Sequence, residues 1–146
     1  MNWKASITPQ AKQLLWRIAH NSLPHRWSIL RQGTDVDLVC PMCHRFNEDG
    51  SHLFLRCKPV RALWKALKID HIRLKLLLCA DAKEVIGEIL KQEEHVKLKC
   101  VALFSVWWKI VSSTHAMRKR NYYRRFRVRI HSITSSYACL TRFRVT

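Results

Sequence analysis

The chain has 146 residues, of which 27 are Lys or Arg and only ten are Asp or Glu, so the formal net charge is +17. That length suits one domain with a real hydrophobic core, and three glycines and four prolines argue against long disordered stretches. No apolar run could span a membrane and no signal peptide opens the chain, which argues against a membrane or secreted protein and predicts an intracellular one, nuclear or cytoplasmic.

The charge is distributed unevenly along the chain. All ten acidic residues lie between Asp35 and Glu94, where ten basic residues balance them. Residues 1–34 carry five basic residues and residues 95–146 carry twelve, and neither part has an acidic one. A field of a single sign favours polyanions such as nucleic acid or an anionic membrane surface. The alternative is a solvated surface, although such surfaces usually mix both signs.

The first two predicted helices precede a cysteine-rich loop. Residues 8–21 are predicted to be helical, because Thr8 can cap the helix and Pro9 suits its first position. Its apolar stripe comprises Ala11, Leu14, Leu15, Ile18 and Ala19. A second, short helix is predicted to follow Pro24, with Trp27 and Leu30 facing inward and Gly33 as its C-terminal cap.

Residues 40–57 contain two pairs of metal-ligating residue types. Cys40 and Cys43 are separated by two residues, so a tight bend can turn both sulfurs toward one point. His52 and Cys57 supply the second pair. Four Cys and His ligands without a spare carboxylate describe a closed tetrahedral site. The sequence therefore predicts one structural zinc ion, with no position left open for catalysis.

Two alternatives remain for these cysteines. Many cysteines are simply small buried hydrophobic residues, an interpretation that suits Cys79, Cys100 and Cys139 better, since these have no partner pattern. Residues 40–44 also match C-x-x-C-H, the attachment pattern of c-type haem. That interpretation requires export from the cytosol and leaves the second ligand pair unexplained. His44 itself is predicted to be a loop residue.

Five further segments follow in chain order. Ser51 is predicted to cap a short helix at residues 52–55, and Pro59 to begin another at residues 59–67. Residues 69–78 are apolar, and their pattern does not separate strand from helix. Asp81 opens a capping-box pattern ahead of a helix at residues 82–94. A long helix is predicted from about residue 96 to about residue 118, with Trp107 and Trp108 read as core residues.

These elements predict a mostly α fold, a small helical domain built around a Cys-Cys-His-Cys zinc loop and followed by a long basic helix. We expect a zinc module at residues 1–70, a helical extension at 71–129 and a weakly ordered tail at 130–146. One core around the metal loop is predicted to comprise Trp16, Leu23, Trp27, Phe54 and Trp64.

The segment at residues 117–129 combines basic and aromatic side chains. A helix dipole favours basic residues near a C-terminus, but it does not require this many. Aromatic rings between charges provide stacking faces for bases, so the segment predicts binding of RNA or single-stranded DNA. The candidate contacts are Arg118, Lys119, Arg120, Tyr122, Tyr123, Arg124, Arg125 and Arg127.

A combined motif runs through the first half of the chain. It comprises W-R-I-A-H-N-S-L-P at residues 16–24, a turn ending at Gly33, C-P-M-C at 40–43, H-L-F-L-R-C at 52–57, and Trp64. This motif resembles the zinc-binding domain found toward the C-terminus of plant reverse transcriptases from LINE-type, non-LTR retrotransposons. The resemblance covers roughly residues 8–67, and it implies zinc ligation by Cys40, Cys43, His52 and Cys57.

Two positions depart from that family pattern. Lys58 stands between the last cysteine and Pro59, where the family usually has proline directly. His44 occupies a position that is often glycine. The paired aspartates that a reverse transcriptase needs are also missing, since Asp35 and Asp37 are better read as surface residues.

The sequence therefore predicts a non-catalytic zinc module, derived from a reverse transcriptase, that binds nucleic acid through its basic segment. It needs no small-molecule substrate and no membrane. The alternative is a zinc-stabilised structural or protein-interaction module. An enzyme is disfavoured, because no carboxylate or nucleophile constellation accompanies the metal ligands.

Overall fold

The computed structural model describes residues 7–33 and 35–116. Within these residues the chain is mostly helical, as predicted, and its only β pairing is a single bridge between Val39 and Asn47. The helices are α1 (Pro9–Ala19), α2 (Arg26–Arg31), α3 (Lys58–Ala66), α4 (Asp70–Leu76), α5 (Ala82–Leu90) and α6 (Glu94–Ala116). Between α2 and α3 lies one π-helical turn, His52–Arg56, which we call the π turn.

Helix α1 begins as predicted and ends two residues early. The Thr8 hydroxyl accepts a hydrogen bond from the Ala11 N–H at 3.3 Å, and Pro9 occupies the first turn. All five members of the predicted stripe are buried. The helix ends at Ala19, because Asn21 adopts a left-handed backbone with φ of 50° and cannot continue it.

The predicted core was right for Leu23, Phe54 and Trp64, which are all buried. It was wrong for Trp16, which is 51% exposed, and for Trp27, which is 42% exposed. Trp16 lies beside the apolar stripe of α1 and stacks on His20, one turn later, with ring centroids 4.2 Å apart. Trp27 belongs to α2, a six-residue helix that buries none of its side chains.

The second half of the described chain consists of helices joined by short connections. The ambiguous segment after residue 69 forms α4, because Ile72 and Leu76 lie on one buried face at helical spacing. Helix α5 ends at Leu90 rather than at residue 94, and α6 begins at Glu94. The capping pattern is confirmed, since Asp81 Oδ1 accepts the Glu84 N–H at 2.8 Å.

Helix α6 supplies much of the core. It buries Cys100, Leu103, Phe104, Trp107 and Val111, which confirms the predicted role of Trp107 and the hydrophobic interpretation of Cys100. Trp108 and Cys79 are half-buried. No helix among the described residues is both long and apolar enough to pass through a bilayer.

Packing joins the two halves of the described chain. Helix α1 packs mainly against α5 and α6, while α3 packs against the π turn, α4 and α6. A single hydrophobic cluster runs from Ile7 to Val111 and therefore crosses residue 70. The domain boundaries inferred from the sequence stay predictions, and Cys139 and the tail at 130–146 lie outside the described residues.

Candidate metal centre

Residues 38–48 form the loop that carries the first two cysteines, and we call this loop the knuckle. Four side chains from the knuckle and the π turn converge at one point. The donor atoms of Cys40, Cys43, His52 and Cys57 all lie within 4.8 Å of one another. Among the described residues, this is the one group of three or more Cys, His, Asp or Glu side chains able to hold a metal ion.

Two of the distances between donor atoms are close to those of a tetrahedral zinc site. The sulfurs of Cys40 and Cys57 are 3.9 Å apart, and Cys43 Sγ lies 3.3 Å from His52 Nε2. Zinc bonds of about 2.3 Å to sulfur and about 2.05 Å to nitrogen place two sulfurs about 3.8 Å apart and sulfur and nitrogen about 3.6 Å apart. The donor set and its spacing thus make a single Cys3His zinc-binding group.

The knuckle is built from its own backbone hydrogen bonds. Cys40 N–H donates to the Phe46 carbonyl at 2.7 Å, and Glu48 N–H donates to the Leu38 carbonyl at 2.8 Å. His44 N–H donates to the Cys40 carbonyl at 2.9 Å and closes the bend between the two cysteines. These bonds turn both thiols to the same side, as the two-residue spacing predicts.

His44 closes this bend in an uncommon conformation. Its φ is +55°, in the left-handed region that glycine adopts without steric cost. The observed backbone gives a physical reason for the glycine that the family resemblance implies at this position. His44 is a loop residue, as predicted, and the chain accepts some strain here.

The π turn brings His52 and Cys57 together. Cys57 N–H donates to the His52 carbonyl at 2.8 Å, a hydrogen bond between residues five apart. An α-helix would rotate residues five apart by about 140°, which would point their side chains away from each other. The wider turn keeps both on one side, so the irregular geometry itself creates the second ligand pair.

The predicted capping role of Ser51 at the start of this turn was wrong. Ser51 makes no capping bond through its side chain, because its backbone is already helical. Asp49 caps the turn instead, with Oδ1 accepting the His52 N–H at 2.7 Å. The cap therefore fixes the backbone of the ligand histidine directly.

Three side chains distant from the turn satisfy its carbonyl groups. Trp107 Nε1 donates to the Leu53 carbonyl at 2.6 Å, and Trp64 Nε1 donates to the Phe54 carbonyl at 2.9 Å. Arg73 Nη1 donates to the Leu55 carbonyl at 3.1 Å. Buried carbonyls need partners, so these donors from α6, α3 and α4 stabilise the turn.

The sequence predicted Trp64 and Trp107 as core residues but did not predict that their indole N–H groups bond to the π turn. Such a bond could have been expected, because a buried indole N–H usually finds an acceptor. Arg73 was missed altogether. It is buried, and Asp70 holds it through a 2.6 Å bond from Nε to Oδ1. The same pair lowers the pKa of the Asp70 carboxyl.

Glu48 is a second buried group that the sequence did not single out. Although it belongs to the polar metal loop, its side chain is fully buried. Its Oε1 accepts the Arg26 N–H at 3.1 Å, and its carbonyl accepts the Trp27 N–H at 3.2 Å. Glu48 therefore joins the knuckle to the first turn of α2, where a negative charge is favourable.

Hydrogen bonding and burial shift the pKa values of two thiols in this cluster in opposite directions. The hydrogen bond from Cys57, aided by the His52 side chain and by the N–H groups of Cys43 and Met42, lowers the pKa of Cys40 to about 4 despite burial. That same hydrogen bond, burial and the negative Cys40 raise the pKa of Cys57 well above its ordinary value. In the absence of a cation, the negative charge on Cys40 opposes ionisation of Cys57. A bound dication removes this opposition, because it stabilises every thiolate at once.

The chemistry of the centre is structural. All four tetrahedral positions are filled by protein donors, so no position is left for water or substrate. The tetrahedral group also accounts for both ligand pairs, which the haem-attachment alternative did not. Asp35 and Asp37 are exposed, and Asp37 Oδ1 accepts the Val39 N–H at the entrance to the knuckle.

The predicted nucleic-acid contacts lie beyond the described part of the chain, since they fall within residues 117–146. They are Arg118, Lys119, Arg120, Tyr122, Tyr123, Arg124, Arg125 and Arg127. Their role stays a prediction.

Comparison with known proteins gives one match. Residues 1–64 match the model of the family described as zinc-binding in reverse transcriptase. The match contains all four members of the Cys3His group, ends at Trp64 and spans fewer than half of the 146 residues. No curated protein and no solved structure matches the chain. The matched family is a zinc-binding accessory domain rather than a catalytic one.

Proposed function

We propose that this protein is a non-catalytic zinc module, derived from the reverse transcriptase of a plant LINE-type retrotransposon, that binds RNA or single-stranded DNA. The zinc ion holds the knuckle and the π turn together. The basic segment at residues 117–129 provides the main contact to nucleic acid. The module acts inside the cell, in the nucleus or the cytoplasm, and takes no small-molecule substrate.

The uneven charge distribution is the observation that carries this proposal. The acidic residues end at Glu94, and residues 95–146 hold twelve basic residues and no acidic one. A segment of this kind binds phosphates by releasing their counterions, without needing any particular base sequence. The aromatic residues Tyr122, Tyr123 and Phe126 stand between the charges, where rings can stack on unpaired bases.

The filled coordination sphere supports the non-catalytic part of the proposal. A zinc ion with four protein ligands does not activate water, and its contribution is to folding. The match to a zinc-binding family associated with reverse transcriptase supports the proposed origin.

A protein-interaction module is the second candidate, and one feature of the surface favours it. A groove of about 940 Å³ is lined by residues of α1 and α2 and by the connection between α4 and α5. Trp27 lies on its rim with 42% of its surface exposed. Exposed tryptophans are enriched at protein interfaces, so a protein partner could use this groove.

Salt-dependent binding separates the two candidates. We expect oligonucleotide affinity of the zinc-loaded chain to fall with log salt at a slope of about −4, if six basic side chains contact phosphates on a single strand. Replacing Arg124 and Arg125 by Gln should reduce the magnitude of that slope by about 1.4. Replacing Tyr122 and Tyr123 by Ala should weaken binding but leave the slope unchanged.

A matched control removes two exposed charges elsewhere, by Lys75→Gln and Lys83→Gln, and should leave the slope close to its original value. Binding that does not depend on salt, or that is unaffected by deleting residues 117–129, would exclude this function. The interaction module would then be the better explanation.

A further inference from the structure

A small cleft of about 300 Å³ opens directly beside the zinc-binding group. It lies between the knuckle and the first turn of α3, and we call it the knuckle cleft. The side chains of interest in its wall are Arg45, Phe46, Arg56, Lys58 and Arg61. The cleft lies at the lower end of the size range of ligand sites, which suits one or two groups of an extended ligand.

The charge of the knuckle cleft has a single sign. Its four basic side chains are exposed, and none of them makes a hydrogen bond or an ion pair with another described residue. No acidic residue lines the cleft. Arg61 contributes a minor electrostatic effect to the lowered pKa of Asp70, whose carboxylate is bonded to Arg73. The segment at residues 35–94 is neutral overall, so this local excess is not a consequence of composition.

Phe46 gives the cleft an exposed aromatic face. Its ring is 64% exposed, the second largest exposure among the large hydrophobic residues that the structure describes as exposed. One side of it approaches the His52 ring, with centroids 5.7 Å apart. The other side of the ring is open to solvent, where a base could stack on it.

The zinc-binding group assembles this cleft. Arg45 and Phe46 stand two and three residues after Cys43, whereas Arg56 and Lys58 flank Cys57. Coordination joins Cys43 to Cys57 and thereby brings the two sets of side chains to opposite walls. The start of α3 adds the positive end of a nine-residue helix dipole at the same place.

We propose that the knuckle cleft is a second contact site for single-stranded nucleic acid, in which the basic side chains hold phosphates and Phe46 stacks on a base. This inference rests on the proposed nucleic-acid binding and adds to it a site that depends on zinc. Bases in a duplex already stack on one another, so a ring that needs a free base selects unpaired strands.

The test uses the zinc-loaded full chain with labelled oligouridylate RNA and oligothymidylate DNA as probes. The charge variant carries Arg45→Gln and Arg61→Gln, and the control variant carries Lys75→Gln and Lys83→Gln. We expect the charge variant to reduce the salt slope by about 1.4, which corresponds to a loss of about 25-fold in affinity at 0.1 M salt. The control variant should retain the original slope.

The second arm tests the aromatic contact. We expect Phe46→Ala to weaken binding about 5- to 150-fold at an unchanged salt slope, which is the range for loss of one stacked base. Because Phe46 borders His52, zinc content is measured for every variant. If Phe46→Ala loses zinc, Phe46→Leu replaces it, since leucine keeps an apolar cover but has no flat ring.

The outcomes separate this site from the main proposal. If the unmodified chain shows no salt-dependent binding, nucleic-acid binding itself is wrong. If the unmodified chain binds and the charge variant behaves like the control, the knuckle cleft is not a contact site and the basic segment acts alone. If polyglutamate displaces the oligonucleotides at equal charge concentration and loss of the Phe46 ring has no effect, the cleft accepts an acidic polypeptide instead.

Discussion

The knuckle and the π turn each contribute two zinc ligands, but they are stabilised in different ways. The backbone hydrogen bonds that close the bend of the knuckle join residues within 38–48, so this bend is formed locally, and Glu48 adds a link to α2. The carbonyls of the π turn are instead satisfied by side chains 10, 18 and 54 residues away. One half of the centre is therefore a local structure, and the other depends on the packing of α3, α4 and α6.

This difference gives α6 an indirect role in metal binding. Helix α6 lies outside the matched residues 1–64, yet Trp107 bonds to the carbonyl that follows His52. A fragment that ends at Trp64 would keep every ligand but would lose the donors from Arg73 and Trp107. The metal centre and helices α4 and α6 thus stabilise each other.

The largest expected effect comes from removing the ion that joins the two halves. Cys43→Ser should release zinc and reduce the free energy of unfolding by several kcal/mol, because zinc binding is part of the folding free energy of such sites. Elemental analysis and denaturant unfolding measure both changes. Cys79→Ser, at a half-buried cysteine outside the group, is the matched control and should retain one zinc per chain. Retention of zinc by Cys43→Ser would contradict the assignment of this ligand.

A smaller effect tests the dependence of the π turn on α6. Trp107→Phe keeps an aromatic ring but leaves the Leu53 carbonyl without its indole donor. We expect a loss of about 2–4 kcal/mol in stability, from the unsatisfied carbonyl and the smaller ring. Zinc affinity should fall about tenfold, a loss typical of residues that support metal ligands.

The neighbouring substitution Trp108→Phe provides the control for that experiment. Trp108 is half-buried on the same helix, so its replacement should cost less than about 1 kcal/mol and leave zinc affinity unchanged. Chelator competition gives the affinities, and equal zinc affinity in both variants would show that the π turn does not depend on α6.

The smallest effect concerns the knuckle alone. His44→Gly relieves about 1–2 kcal/mol of left-handed strain and loses part of that to the flexibility of glycine, so we expect a net gain of about 0.5 kcal/mol. His44→Val should have the opposite sign and destabilise by about 1–2 kcal/mol. Thermal unfolding of the zinc-loaded variants measures both. A stabilising valine would show that the backbone at this position is not strained.

Much of the fold could be predicted from periodicity and capping. The stripe of α1, the caps at Thr8 and Asp81 and the long apolar face of α6 follow from local sequence, since each depends on residues only a few positions apart. The burial of aromatic side chains was less predictable. Trp16 and Trp64 both stand in helical segments, but only Trp64 faces the core, because the helix packing decides which face is covered.

The sequence by itself determined the four ligands and the bend of the knuckle, because the spacing of Cys40 and Cys43 acts over a few backbone bonds. Tertiary structure alone decided the π turn and the buried positions of Glu48 and Arg73. A turn with bonds between residues five apart is unfavourable in isolation, and its stability comes from donors far away in the chain. Such distant pairings leave no local pattern, so only the packed structure reveals them.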